Sequence, residues 1–309
     1  MKYLLLITTM IMIVLPLTSA RKAILIGNGD YEQNRLKNPV SDARELADVL
    51  MALGFDVTLK TNLNRREFRA TIDAFSDGLS EDDEVVFFYS GHGIQVKGVN
   101  YLIPVSHDIK SESDIEYEAV EANWILSRIE KAKLNIFILD ACRDNPYSGF
   151  KSQSRGLAQM SAKPGSTYIV FATSSGNVAQ DGIGNNSPFT SALIKHIPTV
   201  DIKIEDMIKR VTNSVMEITK NAQCPWTTGN LKDDFYFLPS QTGDRNPNPI
   251  LDKALNLQRK RNRGFFAKNW WWMTGIVTAC GTAAYVSFSD SNQEVSPIPH
   301  CPGRPPNRR

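Results

Sequence analysis

The chain has 309 residues, 42% hydrophobic and 22% charged, which excludes a disordered or fibrous polypeptide and leaves room for one domain of about two hundred residues plus tails. A net charge of +2 supplies no global attraction to polyanions, so no nucleic-acid partner is expected. Of four cysteines, Cys280 lies in an apolar segment and Cys301 in a Pro-rich tail, so the spacing implies no disulfide framework.

The first element is not part of the fold. Lys2 gives a positive start, residues 4–17 form a nearly unbroken apolar run, and Thr18-Ser19-Ala20 ends in small residues, which predicts a signal peptide over 1–20 and an exported chain. Apolar, β-branched runs at 23–26, 56–60, 85–89, 136–139, 168–172 and 235–238 predict strands. Between the first two, Ala43, Leu46, Ala47, Leu50 and Leu53 form a helical stripe that ends at Gly54. Further helices are expected around Phe68, Ile72 and Phe75, over 122–132, over 188–197 with Ser187 as N-cap and Pro188 at its first position, and over 205–219. Strands alternating with helices build a largely parallel sheet with helices on both faces, an α/β class.

Beyond residue 238 the composition changes. The domain is bounded at 21–239, and 240–269 reads as a linker ending in the basic stretch Arg259-Lys260-Arg261-Asn262-Arg263. Residues 270–288 carry no charge, would span roughly 28 Å as a helix, and open with Trp270, Trp271 and Trp272 as an interfacial anchor. A transmembrane helix over 270–288 and a Pro/Arg-rich tail over 289–309 follow. The signal peptide places the domain outside the cytoplasm while the basic stretch favours the cytoplasmic side; the reading adopted is a membrane-anchored, extracytoplasmic domain.

Two motifs follow strand-like runs at fifty positions' separation: Ser90-Gly91-His92-Gly93 after 85–89, and Asp140-Ala141-Cys142-Arg143-Asp144 after 135–139. Ligand sites in parallel sheets lie beyond the carboxyl ends of the strands, so His92 and Cys142 are brought to one edge. A thiol is little ionised at neutral pH, and a neighbouring imidazole raises its thiolate fraction and returns the proton to a leaving amine. The glycines around His92 read as turn residues allowing close backbone approach. Residue by residue the alternatives are plain: a small buried Cys at a strand end, a polar His in a turn.

The pair resembles the caspase-like cysteine peptidases, over roughly residues 22–238. Asp140, where caspases carry Gln, is similar to the metacaspase and bacterial caspase-like branch. The resemblance implies a caspase-like three-layer α/β sandwich and a Cys142–His92 dyad without a third orienting residue. It also implies an oxyanion hole from the N–H groups of Gly93 and Cys142, and a cleft wall at Ser174 and Ser175. Asp140, with Asp42 from Asn38-Pro39-Val40-Ser41-Asp42-Ala43, would form an acidic pocket, so the expected substrates are proteins or peptides cut after Arg or Lys, not after Asp. Asp42 also reads as a first-turn helix carboxylate.

No cofactor is expected. Calcium activation would draw on Asp108, Glu112, Asp114 and Glu116, which lack a recognisable loop spacing and read as a solvated acidic face. Arg143, Lys151, Arg155 and Lys163 fall in a polar loop after Cys142 that a basic-specific peptidase would cut in itself. His107, His196 and His300 read as structural. The competing class is a catalytically silent caspase-like domain acting as a membrane-tethered scaffold.

Overall fold

A computed structural model describes residues 20–142, with Cys142 by its backbone alone, and residues 157–161, 163–173 and 184–240. The signal segment before Ala20, the loop with Arg143, Lys151 and Arg155, Ser174 and Ser175, and the linker, span and tail after Ser240 lie outside the described residues. Among the described residues no helix is long and apolar enough to cross a membrane.

Five parallel strands and one antiparallel edge strand make the main sheet. They are β1 (Arg21–Gly27), β2 (Asp56–Thr61), β3 (Glu84–Val96), β6 (Leu134–Cys142), β7 (Ser166–Phe171) and β8 (Trp226–Leu231), in the order β2-β1-β3-β6-β7-β8. Beyond the point where β1 ends, β3 continues and pairs antiparallel with β4 (Val99–Leu102), which pairs with β5 (Val120–Glu121).

The strands are apolar on both faces because both faces are covered. On one side Ala23, Leu25, Val86, Phe88, Ile136, Ile138 and Val170 pack under α1 (Pro39–Ala52), α5 (Pro188–His196) and α6 (Ile204–Ile218). On the other, Ile24, Ile26, Val85, Phe87, Phe137, Leu139 and Ile169 pack under α2 (Arg65–Asp77) and α4 (Ala122–Ile129). The short α3 (Ile115–Glu118) belongs to a third, smaller cluster around β4. The expected three-layer α/β sandwich is therefore present.

Local chemistry explains the helix starts. Asn38 precedes Pro39 at the first position of α1, and Asn64 and Glu67 form a reciprocal capping box at α2. The turn after α1 closes with Gly54 at φ +85°, as a glycine C′ residue allows. A Cβ on Gly27 would lie 2.2 Å from the Pro39 carbonyl oxygen, so glycine lets the start of α1 seat against the end of β1 and carry Asp42 to the sheet edge.

One predicted strand is wrong. Residues 235–238 contribute a single bridge, Lys203 to Tyr236, and are otherwise irregular. Phe235 and Phe237 plug the pole where the strands begin. The Arg21 guanidinium sits 4.3 Å over the Phe55 ring and donates to the Tyr236 and Phe237 carbonyls at 2.7 and 2.8 Å. The last strand is instead β8, whose Thr227, Thr228, Gly229 and Asn230 lack an apolar run because an edge strand buries little.

Candidate active site

His92 and Cys142 are register partners on adjacent parallel strands, the last pair of a run that begins at Glu84 and Leu134. Ser90-Gly91-His92-Gly93 and the first three residues of the second motif thus lie within strands, which corrects the expectation of a turn at Ser90-Gly91-His92-Gly93. The two glycines answer to crowding instead. A Cβ on Gly91, at φ +155°, would lie 2.6 Å from the Tyr89 hydroxyl, and one on Gly93 would meet the Ala141 Cβ at 2.9 Å.

His92 is 6% exposed, and its Nε2 lies 2.7 Å from the backbone oxygen of Asn34. A carbonyl only accepts, so Nε2 carries a proton, and it is Nδ1 that bears the lone pair in the neutral form of the ring. A third orienting group therefore exists. It escaped the sequence reading because it is main chain; the one signal for it is that Asn34 adopts φ +56°, which Asn tolerates better than most residues.

The Gly93 peptide has a defined direction. Ile103 N donates to His92 O at 3.0 Å on the β4 side, and a trans peptide points the next N–H the opposite way. The Gly93 N–H is accordingly aimed away from β4, toward the strand that ends at Cys142.

Asp42 and Asp140 come from different elements, α1 and β6, and converge on one residue, Ser187. The Ser187 N–H donates to Asp42 Oδ1 at 3.0 Å, and its hydroxyl donates to Asp140 Oδ2 at 2.5 Å. Thr190 Oγ1 donates to the same Asp140 oxygen at 2.8 Å, and Ser90 Oγ donates to Asp42 Oδ2 at 3.1 Å. Both carboxylates are nearly closed off, at 1% and 4% exposure. The predicted capping role of Ser187 holds, since Thr190 N donates to its hydroxyl at 2.9 Å. Its second role, and those of Ser90 and Thr190, were not foreseen, because small hydroxyl residues announce nothing until the fold points them at a carboxylate.

Other titratable groups are structural. Burial, and then the charges of Lys195 and Arg210, lower the pKa of His196 to about 4, and its Nε2 lies 2.8 Å from Ser214 Oγ. Burial likewise lowers His107, against the pull of Glu118, Glu32 and Asp108. Asp114 caps the main chain at Lys110 and Ser111, and Asp108 pairs with Lys110 at 2.8 Å. Among the described residues no group of three or more His, Cys, Asp or Glu side chains is placed to hold a metal ion. Cys224 departs from the cysteine reading in being disulfide-bonded.

Comparison with known proteins agrees with this architecture. The caspase domain family matches residues 20–236. Human mucosa-associated lymphoid tissue lymphoma translocation protein 1 is 32% identical over 131 residues, which is 41% of this chain and 16% of that protein. Caspase-1 of Rattus norvegicus is 25% identical over 249 residues, 72% of this chain and 60% of the relative. The chain thus spans less than two thirds of either curated relative. The crystal structure of caspase-1 from Spodoptera frugiperda superposes with a TM-score of 0.54 at 17% identity, covering 73% of this chain and 92% of that one, which shows the fold. With the family match covering residues 20–236, nearly all of the described domain, the chain belongs to the caspase domain family, the caspase-like cysteine peptidases.

Proposed function

We propose that this protein is a cysteine endopeptidase that uses a Cys142–His92 dyad and cuts proteins or peptides after Arg or Lys. The observation that carries the reading is the register pairing of His92 with Cys142 two residues beyond Asp140, whose carboxylate and that of Asp42 meet at Ser187.

In this mechanism His92 Nδ1 takes the Cys142 proton, and the thiolate adds to the scissile carbonyl. The N–H groups of Gly93 and Cys142 hold the oxyanion, while the Asn34 carbonyl stabilises the imidazolium through Nε2–H. Collapse breaks the C–N bond, and His92 gives its proton to the leaving amine. Water, deprotonated by the same ring, then hydrolyses the thioester and restores the thiol. Asp42 and Asp140 supply negative charge for a cationic side chain before the scissile bond, and Ser174 and Ser175 are assigned to the cleft wall. No cofactor takes part in these steps.

The domain is further proposed to be exported by residues 1–20 and held at a membrane by 270–288. Ala20 and Ser240, the outermost described residues, both lie at the pole where the strands begin: Ala20 N bonds Asp83 Oδ1 at 3.2 Å, and Ser240 N bonds Asp201 Oδ1 at 2.6 Å. His92 is eight residues along β3 from that pole, about 26 Å. This arrangement supports a dyad that faces away from the bilayer.

Full-length protein in detergent, given fluorogenic peptides ending in Arg, Lys or Asp, tests the reading. Turnover of the Arg and Lys peptides that vanishes in Cys142→Ala is expected. Preference for Asp would overturn the pocket assignment, and turnover of none would favour the silent scaffold.

A further inference from the structure

Tyr31 lies in the connection between β1 and α1, yet it is 3% exposed. Its hydroxyl accepts the backbone N–H of His92 at 2.9 Å and donates to Ile103 O at 3.1 Å. A second phenol, Tyr89, stands 3.3 Å away and donates to His92 O at 2.9 Å. The main chain of His92 is thus held at both its N–H and its C=O by phenols. The Tyr31 ring also packs on the imidazole, with centroids 4.4 Å apart at 50°.

The segment carrying Tyr31 is itself fastened. Asn62, at φ +55°, accepts from Gly29 N and Asp30 N at 2.9 and 3.2 Å and donates to Asp30 Oδ2 at 2.8 Å. Leu36 N closes the segment onto Gly29 O at 3.1 Å. Asn34, whose carbonyl holds Nε2, lies inside the same closed loop.

We propose that Tyr31 is a positioning residue for the dyad: its hydroxyl fixes the His92 main chain and its ring fixes the tilt of the imidazole, so that Nδ1 meets the thiol. This rests on the reading of His92 as the base of Cys142. Described contacts then hold the ring at three places besides the Tyr89 bond to His92 O: the Tyr31 hydroxyl on the main chain, the Tyr31 face on its plane, and Asn34 O on Nε2. A displacement of about 1 Å at a reacting group costs on the order of a hundredfold in rate, so a side chain that supplies both a main-chain and a ring contact governs alignment without touching substrate. The crowding at Gly91 has the same origin, since a Cβ there would stand 2.8 Å from the Tyr31 hydroxyl.

Tyr31→Phe keeps the ring and removes the hydroxyl; Tyr31→Leu removes both. In full-length protein two readouts are taken: kcat and KM on the Arg peptide, and the pH dependence of Cys142 alkylation by iodoacetamide, followed by mass spectrometry of the Cys142 peptide. Tyr31→Phe is expected to lower kcat about fivefold and Tyr31→Leu about a hundredfold, with KM within twofold of wild type. The alkylation midpoint of Tyr31→Leu should move up toward the ordinary thiol value of about 8.5. A structural role alone would lower the melting temperature and leave both readouts in place. Wild-type kcat and an unmoved midpoint in Tyr31→Leu would overturn the proposal. Should that variant not fold, the same result in Tyr31→Phe would do so. If wild type turns over no peptide, the endopeptidase reading fails, while the alkylation midpoints still decide the role of Tyr31.

Discussion

Replacing Thr190 by Val leaves the shape of the side chain and removes one donor from a buried carboxylate. Asp140 Oδ2 accepts from Thr190 Oγ1 at 2.8 Å and from Ser187 Oγ at 2.5 Å, and the residue is 4% exposed, so water does not replace the lost bond. A hydrogen bond to a charged group contributes about 2 kcal/mol. For a domain of this size that corresponds to a fall in melting temperature of about 4–8 °C. The attribution to Asp140 is checked by a double-mutant cycle with Asp140→Asn, in which the acceptor is no longer charged. Thr190→Val should then cost about 1 kcal/mol less than in the wild-type background, and Thr190→Ser should restore most of the loss. Ser187→Gly removes the other donor while costing only a few tenths of a kcal/mol as a cap, so its excess cost should show the same dependence on Asp140. Urea unfolding monitored by circular dichroism supplies the free energies. Equal cost of Thr190→Val in both backgrounds would refute the claim that the first turn of α5 holds this carboxylate.

Gly91→Ala should be severely destabilising, by about 3 kcal/mol or more, because the added Cβ meets two buried hydroxyls at 2.6 and 2.8 Å; thermal melts would show it, and a variant as stable as wild type would contradict the packing described. His196 gives a pH signature: its folded pKa of about 4 lies below the unfolded value of about 6.5, so the unfolded chain binds the extra proton between them. Stability should be unaffected by this group above about pH 6.5 and should fall as pH drops toward 4, and His196→Gln should flatten that part of the urea-midpoint profile.

The fold was legible where burial dictates sequence. β1, β3, β6 and β7 are covered on both faces and read as continuous apolar runs, and α1, α2 and α6 carry stripes that mark their buried sides. Partly buried β2 was still legible through its alternating apolar residues, but the other edge strand was not. β8 is an edge strand of Thr, Gly and Asn, whereas the aromatic segment 235–238 reads as a strand because a plug and a strand both need large apolar residues. Candidates for the site were legible for a different reason: His92, Cys142 and Asp140 stand in two short motifs at fifty positions' separation, and Asp42 in a segment the family resemblance singles out. The supports were not. Asn34 acts through a carbonyl that every residue possesses, and Ser187, Ser90 and Thr190 use hydroxyls that caps and turns use equally well.

These supports divide the site into two halves that meet on β3. His92 is held from the β1 side, by Asn34 and Tyr31 in the connection to α1, and by Tyr89 three residues back on β3. Asp140 is held from the opposite quarter, by α5 through Ser187 and Thr190. Among the described residues the halves are joined by the β3–β6 ladder, which pairs Ser90 with Asp140, and by Ser90, which lies two residues before His92 on β3 and bonds the Asp42 carboxylate that also takes the Ser187 N–H. A perturbation of α5 therefore reaches the acidic pair directly, through the bonds of Ser187 and Thr190, and the imidazole through the backbone of the central strands, which the two phenols clamp at His92. It follows that variants at Ser187 and Thr190 should change discrimination between cationic and neutral side chains while leaving thiol reactivity unchanged, and that variants at Tyr31 should do the reverse. Loss of both properties from a single substitution on either side would mean that the clamp at His92 does not isolate the two halves.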